Sequence, residues 1–460
     1  MEKVDVIVVG GGLAGLSAAY GLARAGLEVM VLERGDYSGA KNVTGGRLYT
    51  SVIRDLYPEL WEEAPFERAV NRELISMVAG GRMATLEICA REFGQPRPQS
   101  YTVVRAKLDQ YLADKVAEAG GMVIPKMKVD ALLTEGGAGG SGRGTSGSDA
   151  AGPGGVTDGR GDATGEPRRV IGIRAGEDEI GADVVIVAEG VLGLLASEAG
   201  LRQGPAAADT ALGYKEVIEL PAAVIEDRWH LAEGEGAAQL FMGSVTKGMI
   251  GGAFLYTNRD SIAVGVVVGM DPLRSRSDDL ESWQLLDDFK ALPAVAPLLR
   301  GGEVVEYSAH AVAEGGIAKV PRLLGDGYLL VGDAAGLSLN ALITVRGMDF
   351  AIASGYHAAQ AVAAAKAAGD TSAAGLASYE RALRESFVLK DLQTAAYVPA
   401  VLENQRLFTD YPDAITHLLT ELFTVGPGPS ERLFKIVLRG LRRSFCNLAT
   451  VRDALSFRRI

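Results

Sequence analysis

The apolar positions of the chain fall into two periods, and the change from one to the other comes early. Residues 6–9, Val6-Ile7-Val8-Val9, form an unbroken β-branched run, the pattern of a strand buried on both faces. The cluster Gly10-Gly11-Gly12-Leu13-Ala14-Gly15 follows at once. An Ala-rich stretch of helical period then runs from about residue 14 to 25 and stops at Gly26. A second strand at 28–32 ends in Glu33. Further on, 101–104 reads as a strand with Arg105 at its end. Leu108, Leu112 and Val116 then mark one face of a helix that stops at Gly120-Gly121. Residues 122–124, 129–133, 170–174 and 180–187 read as strands, and 77–89 alternates loosely. The stretch 211–316 is β-rich, with runs at 215–220, 238–242, 251–256, 262–268 and 302–311. A strand at 328–331 runs into Gly332-Asp333. A long Ala-rich helix is expected at 348–368, and 371–460 reads as helical.

One segment has neither period. Residues 135–168 are Gly, Ser, Ala, Thr and Asp with almost no large apolar side chain, and cannot bury enough to offset their ordering entropy. The expectation is a disordered loop insertion at 136–168, solvated and functionally idle, overgrown on a hairpin.

Composition narrows the class. The 460 residues suffice for two or three domains. A net charge of −12 argues against nucleic acid as a partner, since phosphate binding needs a basic face. Two cysteines, Cys89 and Cys446, point to a reducing compartment and cannot ligate a four-cysteine iron–sulfur cluster. No metal site is expected. The first strand starts at the N-terminus, so no signal peptide is expected, and the longest apolar stretch, 249–270, is broken by Asn258-Arg259-Asp260. The protein is expected to be cytoplasmic, peripheral on the cytoplasmic face of the cell membrane.

The opening strand, glycines, helix, second strand and acid form a complete dinucleotide-binding unit. Gly10 makes the turn, Gly12 lets the backbone approach a pyrophosphate, and Gly15 lets helix and strand pack closely. Glu33 accepts from ribose hydroxyls. Two further elements converge on the same ligand. Arg105 opens a helix, where a plain surface charge is the alternative. Asp333 follows a second strand–glycine turn, where it can accept from ribityl hydroxyls or cap a helix. A ribityl chain belongs to a flavin, which moves the expectation from NAD to FAD.

The runs Gly39-Ala40-Lys41-Asn42-Val43-Thr44-Gly45-Gly46-Arg47-Leu48-Tyr49, Gly251-Gly252-Ala253-Phe254-Leu255-Tyr256, Glu306-Tyr307-Ser308-Ala309-His310 and Val331-Gly332-Asp333-Ala334-Ala335-Gly336 closely resemble the electron-transfer flavoprotein:quinone oxidoreductase family, in its bacterial Fix-type branch. The resemblance covers nearly the whole chain outside 135–168. It implies an α/β fold: a glutathione-reductase-type, Rossmann-like FAD-binding domain (1–75, 101–210 and 317–370), an inserted β-rich quinone-side domain (76–100 and 211–316) and a helical C-terminal region (371–460). It implies that Gly10, Gly12, Leu13, Ala14, Glu33 and Arg34 hold the ADP half of FAD. Arg105 meets the pyrophosphate, and Val129 the adenine. Gly332 and Asp333 hold the ribityl-phosphate region. Lys41, Asn42, Val43, Thr44, Gly45, Gly46, Gly347 and Met348 line the isoalloxazine, with the helix dipole at Met348 favouring the anionic reduced flavin.

The quinone is expected near Gly251 and Gly252, with Tyr256, Tyr307 and His310 as candidate hydrogen-bonding partners. Ile250 stands where mitochondrial relatives carry a Tyr. Those relatives also hold their own [4Fe–4S] cluster in a C-terminal region that here contains only Cys446. The resemblance therefore implies a separate small ferredoxin-like [4Fe–4S] partner beside the alpha and beta subunits of an electron-transfer flavoprotein. The expected activity is FAD-dependent electron transfer from that flavoprotein to a membrane quinone, as the exergonic arm of NADH-driven electron bifurcation. No side-chain acid or base is demanded as a catalytic residue, since the flavin carries the redox chemistry. The alternatives are a prenyl-lipid reductase of the geranylgeranyl type and a non-catalytic FAD-holding assembly subunit. For the membrane surface, the basic amphipathic stretch 431–445 is the first candidate. An ordinary packed helix, or one that docks the ferredoxin-like partner, is the alternative there. The pairs 241–242 and 249–250 are the second candidate.

Overall fold

The computed structural model describes residues 2–41, 45–135, 169–276 and 280–458. Asn42, Val43, Thr44 and the low-complexity insertion at 136–168 lie outside the described residues.

The β-branched runs assemble an eight-stranded sheet. Its central order is Leu324–Gly325, Tyr328–Leu330, Asp178–Val187, Glu2–Val9, Val29–Leu32, Met122–Ile124, with parallel pairing from Tyr328–Leu330 to Met122–Ile124. Val6, Ile7 and Val8 are fully buried, as an interior parallel strand requires. The helices Leu13–Arg24 and Met348–Ala368 pack together at one point without a side chain between them. A Cβ on Gly355 would stand 2.2 Å from the carbonyl oxygen of Ala14, and the Ser17 hydroxyl donates to the Ile352 carbonyl at 2.7 Å. The strands Ala131–Thr134 and Val170–Ala175, which flank the insertion, pair antiparallel.

A nine-stranded sheet carries the second core. Its order is Glu303–Ala313, Thr210–Glu219, Ser261–Gly269, Gly251–Thr257, Glu235–Gly243, Ala69–Ala79, Ser100–Val104, Gly45–Tyr49, with Arg82–Cys89 on Ala69–Ala79. The strands Gly45–Tyr49, Ala69–Ala79 and Ser100–Val104 therefore pair in this sheet, across the boundaries expected at 75/76 and 100/101. The register Gly45↔Val104 and Glu235↔Ala69 joins segments tens to hundreds of residues apart, which no local pattern encodes. One face is covered by the helices Ala222–Trp229 and Gln284–Lys290, which bury Ile225, Trp229, Leu285, Leu286 and Phe289. Their i, i+4 spacings are present in a stretch read as strands alone. The C-terminal region is helical, and its small core of Val398, Val401, Leu402, Leu407 and Phe408 packs against Ile250 and Leu342. Among the described residues no helix is long and apolar enough to cross a membrane.

Candidate functional site

The first glycine loop is shaped by close approaches at two glycines and open at the third. Gly10 has φ +110°, and a Cβ there would stand 2.4 Å from the Ala188 carbonyl oxygen. A Cβ on Gly15 would stand 2.0 Å from the Gly10 oxygen. A Cβ on Gly12 would meet only the Arg105 guanidinium, at 3.9 Å, so the backbone is bare on that side. The helix Leu13–Arg24 that follows has no capping side chain and no acid in its first turn. Its first N–H groups and partial positive charge are left for an anion. The Glu33 carboxylate accepts from the Gly11 N–H at 2.8 Å and the Gly35 N–H at 2.6 Å, which ties the two strand-end loops together.

From this loop a cavity of about 850 Å³ runs between the sheets to the C-terminal helices. Gly10, Gly12, Leu13, Ala14, Glu33, Arg34 and Val129 line one part. Val129 comes to the wall because the Met127 N–H donates to the Glu33 carbonyl at 2.8 Å and carries its segment alongside that loop. Lys41, Gly46, Arg105, Asp333, Gly347 and Met348 also line the cavity. On the second sheet Gly251, Gly252, Tyr256 and His310 line it, and Ile250, Leu342, Leu407 and Phe408 make an apolar wall. The bare turn at Gly12, the uncapped helix, a cation at Arg105 and an acid at the second glycine turn are a donor and acceptor set that fits a flavin dinucleotide.

Gly45 pairs with Val104 in the second sheet. Two of the other expected residues do not line the cavity. Gly332, at φ +59°, donates to Ser354 Oγ at 2.9 Å, and a Cβ there would press on Ala14 at 2.8 Å, so it closes the turn that carries Asp333. Tyr307 is 52% exposed, because side chains alternate along its strand and an odd separation from His310 puts it on the other face. The proposed surface tips at 241–242 and 249–250 are also corrected. Phe241 and Met249 are buried in the second core, while Met242 and Ile250 line the cavity.

Burial sets the charge states inside. Lys215 is pushed down to about 8 by burial, with the positive charge of Arg105 adding to the effect. His310 is pushed down to about 4 by burial, then by Lys215, Arg105 and Arg34, and is neutral at pH 7. Burial raises the Tyr256 phenol, which stays a donor. It also raises the Asp333 carboxyl, against the pull of Arg105 and Arg202. Glu314, hydrogen-bonded by Asn340 Nδ2 at 3.0 Å, is pushed up to about 7 by burial. Arg346 lines the cavity too, fixed by Asp349 at 2.7 Å and Asp391 at 2.5 Å. Sequence reasoning passed over Lys215, Glu314 and Arg346. The available signal was a charged residue within or just after an apolar strand.

Three segments match known families: residues 5–132 the FAD dependent oxidoreductases, 211–312 the ubiquinone-binding region of ETF-QO, and 398–460 the C-terminal domain of the ETF-QO/FixC family. The chain is 42% identical to a probable electron transfer flavoprotein-quinone oxidoreductase, YdiS, of Escherichia coli K12, over 95% of this chain and 94% of that one. It is 40% identical to the FixC protein of the same strain, over 96% of each, and 35% identical to FixC of Bradyrhizobium diazoefficiens, over 100% and 99%. Among solved structures, a geranylgeranyl bacteriochlorophyll reductase-like protein of Thermoplasma acidophilum matches with a TM-score of 0.67 at 21% identity, over 99% of this chain and 100% of that one; this likeness concerns the fold alone.

Proposed function

The chain belongs to the ETF-QO/FixC family of FAD-dependent oxidoreductases, and we propose that it takes electrons from an electron-transfer flavoprotein and passes them to a membrane quinone. The observation that carries this reading is the single cavity that joins the dinucleotide loop to Gly251 and Gly252, inside the segment matched to ubiquinone binding. Bound FAD supplies the electron transfer itself. The chain binds and orients it. Gly12, Leu13 and Ala14 offer backbone N–H groups to the pyrophosphate, Gly10, whose own N–H donates to the Leu32 carbonyl at 2.9 Å, makes the turn beside it, and Arg105 neutralises its charge. Glu33 and Arg34 take the adenosine ribose, and Val129 takes the adenine. Asp333 accepts from the ribityl hydroxyls, on the turn that Gly332 closes. Lys41, Gly45, Gly46, Gly347 and Met348 surround the ring.

On the quinone side, Tyr256 stays a neutral donor and His310 stays uncharged, so neither adds a fixed charge beside a neutral ligand. The apolar wall of Ile250, Leu342, Leu407 and Phe408 suits a prenyl tail and excludes water. The partners of the reading are the electron-transfer flavoprotein alpha and beta subunits and a small ferredoxin-like [4Fe–4S] protein, supported by the presence of only Cys89 and Cys446 in the chain. The role is the exergonic arm of NADH-driven bifurcation. The membrane surface is the cytoplasmic face, met by the helix Leu433–Ser444. It exposes Leu433 and Phe434 by 65% and 74%, next to Arg432, Lys435, Arg439, Arg442 and Arg443.

The test is the purified complex given NADH and a quinone. Quinol is the expected product. A saturated prenyl chain in its place, or NADH oxidation by this chain without partners at about 1–10³ s⁻¹, refutes the reading.

A further inference from the structure

We propose that Glu314 hands a proton to a quinone carbonyl during reduction and recovers it from solvent through a one-water cavity behind it; this rests on the quinone reading above. The residue follows the last residue of the strand Glu303–Ala313 and lines the main cavity. It also lines a second cavity of about 10 Å³, together with Ser338, Asn340, Ala395 and Pro399. That volume takes about one water. Glu314, Ser338 and Asn340 give such a water polar partners, and Ala395 and Pro399, both half-buried, form its outer wall. The carboxyl therefore stands between the substrate space and a small niche, walled mostly by apolar side chains such as Leu392 and Leu402, whose polar groups are Glu314, Ser338 and Asn340.

The orientation is fixed as well. Asn340 Oδ1 accepts from the Leu342 N–H at 3.0 Å, so its Nδ2 must face Glu314, where it donates at 3.0 Å. One carboxyl oxygen is held and the other is left to carry the proton. The charged groups on the surrounding elements are mostly committed elsewhere. Asp209 and Lys319 pair at 2.8 Å, Arg346 pairs with Asp391 at 2.5 Å, Glu403 is exposed, and His310 on the same strand is neutral. With burial pushing it up to about 7, Glu314 is near half protonated at neutral pH, the value that suits a proton donor there.

The step balances. The quinone gains two electrons and two protons. FAD held in its anionic reduced form would supply two electrons and one proton. The second proton comes as the Glu314 O–H bond breaks and a quinol O–H bond forms. The carboxylate then regains a proton from water through the small cavity.

The test uses the complex with NADH and a quinone, and with ferricyanide as an acceptor that needs no proton. The native rate of quinone reduction should fall as pH rises through about 7. Glu314→Gln should be about 10²-fold slower with quinone and lose that pH step, with FAD content and ferricyanide reduction unchanged. Glu314→Asp should recover part of the rate. Infrared difference spectra should show a protonated-carboxyl band that titrates in the native complex and is missing from Glu314→Gln. Ala395→Leu, which fills the niche from its outer wall and leaves the Glu314 carboxyl in place, should lower kcat several-fold and leave KM alone; it decides the matter if Glu314→Gln does not fold. Native rate and pH profile in Glu314→Gln, or a native kcat in Ala395→Leu, overturns the proposal alone. Ferricyanide reduction without any quinol from the native complex removes the quinone reading and the proposal together.

Discussion

Replacing Arg105 by Leu separates two roles that one guanidinium holds. Asp109 is completely buried, and its two oxygens accept from Arg105 Nε at 2.8 Å and Nη2 at 2.7 Å. Burial pushes the Asp109 carboxyl up, and Arg105 is the group that opposes this. Without the guanidinium a buried carboxylate is left uncompensated, which costs about 3–5 kcal/mol. Unfolding entropy of roughly 2.1 cal/mol/K per residue gives about 1 kcal/mol/K for a chain of this length, so Tm should fall by about 3–5 °C. The double variant Arg105→Leu/Asp109→Leu removes both charges, and an apolar pair of similar volume is near neutral in such a place. Its Tm should return close to the native value.

FAD affinity should not return. Arg105 lies 3.9 Å from the Cβ position of Gly12, where the pyrophosphate is proposed to sit. A charge-assisted hydrogen bond of about 1.5–3 kcal/mol is worth roughly 10- to 150-fold in affinity. Both variants should lose it equally. Thermal unfolding of the cofactor-free proteins followed by circular dichroism, with flavin fluorescence for binding in separate titrations, measures the two roles separately, because bound FAD would itself raise Tm. A double variant that binds FAD as the native protein does would show that Arg105 serves Asp109 alone.

The glycines give a second pair. Gly12→Val should fold and purify without FAD, since the space there is open. Gly15→Val should fail to fold, since its Cβ would meet the Gly10 oxygen at 2.0 Å; a soluble, natively folded Gly15→Val contradicts the loop geometry. Lys215 supplies a pH prediction: at about 8 in the folded protein against about 10.4 unfolded, its burial costs the folded state about 3 kcal/mol below pH 8. That cost disappears as pH rises to about 10.4, where both states are neutral. In cofactor-free protein Lys215→Met should therefore raise Tm at pH 7 and have little effect at pH 10.5. At the membrane, Arg439, Arg442 and Arg443 changed together to Glu should weaken sedimentation with anionic vesicles at least about 100-fold at low salt, from about 1 kcal/mol per basic residue. Unchanged binding removes the helix Leu433–Ser444 from the membrane surface.

What the sequence by itself determined is local. The βαβ unit from Glu2 to Leu32 reads off directly, because a β-branched run, a glycine turn and a helical period each depend on neighbours a few residues away. The helix Arg105–Glu118 and the long helix Met348–Ala368 are legible for the same reason, and so are the glycine turns that carry Gly12 and Asp333. The tertiary structure decided whatever depends on distant partners. Gly45–Tyr49 and Ser100–Val104 join the second sheet because backbone hydrogen bonds form to whichever strand packing brings alongside. Tyr307 and His310 look equivalent as aromatic polar residues of one run, yet the pleat puts one in solvent and the other in the cavity. Lys215 and Glu314 are ordinary charged residues in sequence. Their shifted protonation comes from two sheets and the C-terminal helices closing over them, and burial is a property of the assembled layers.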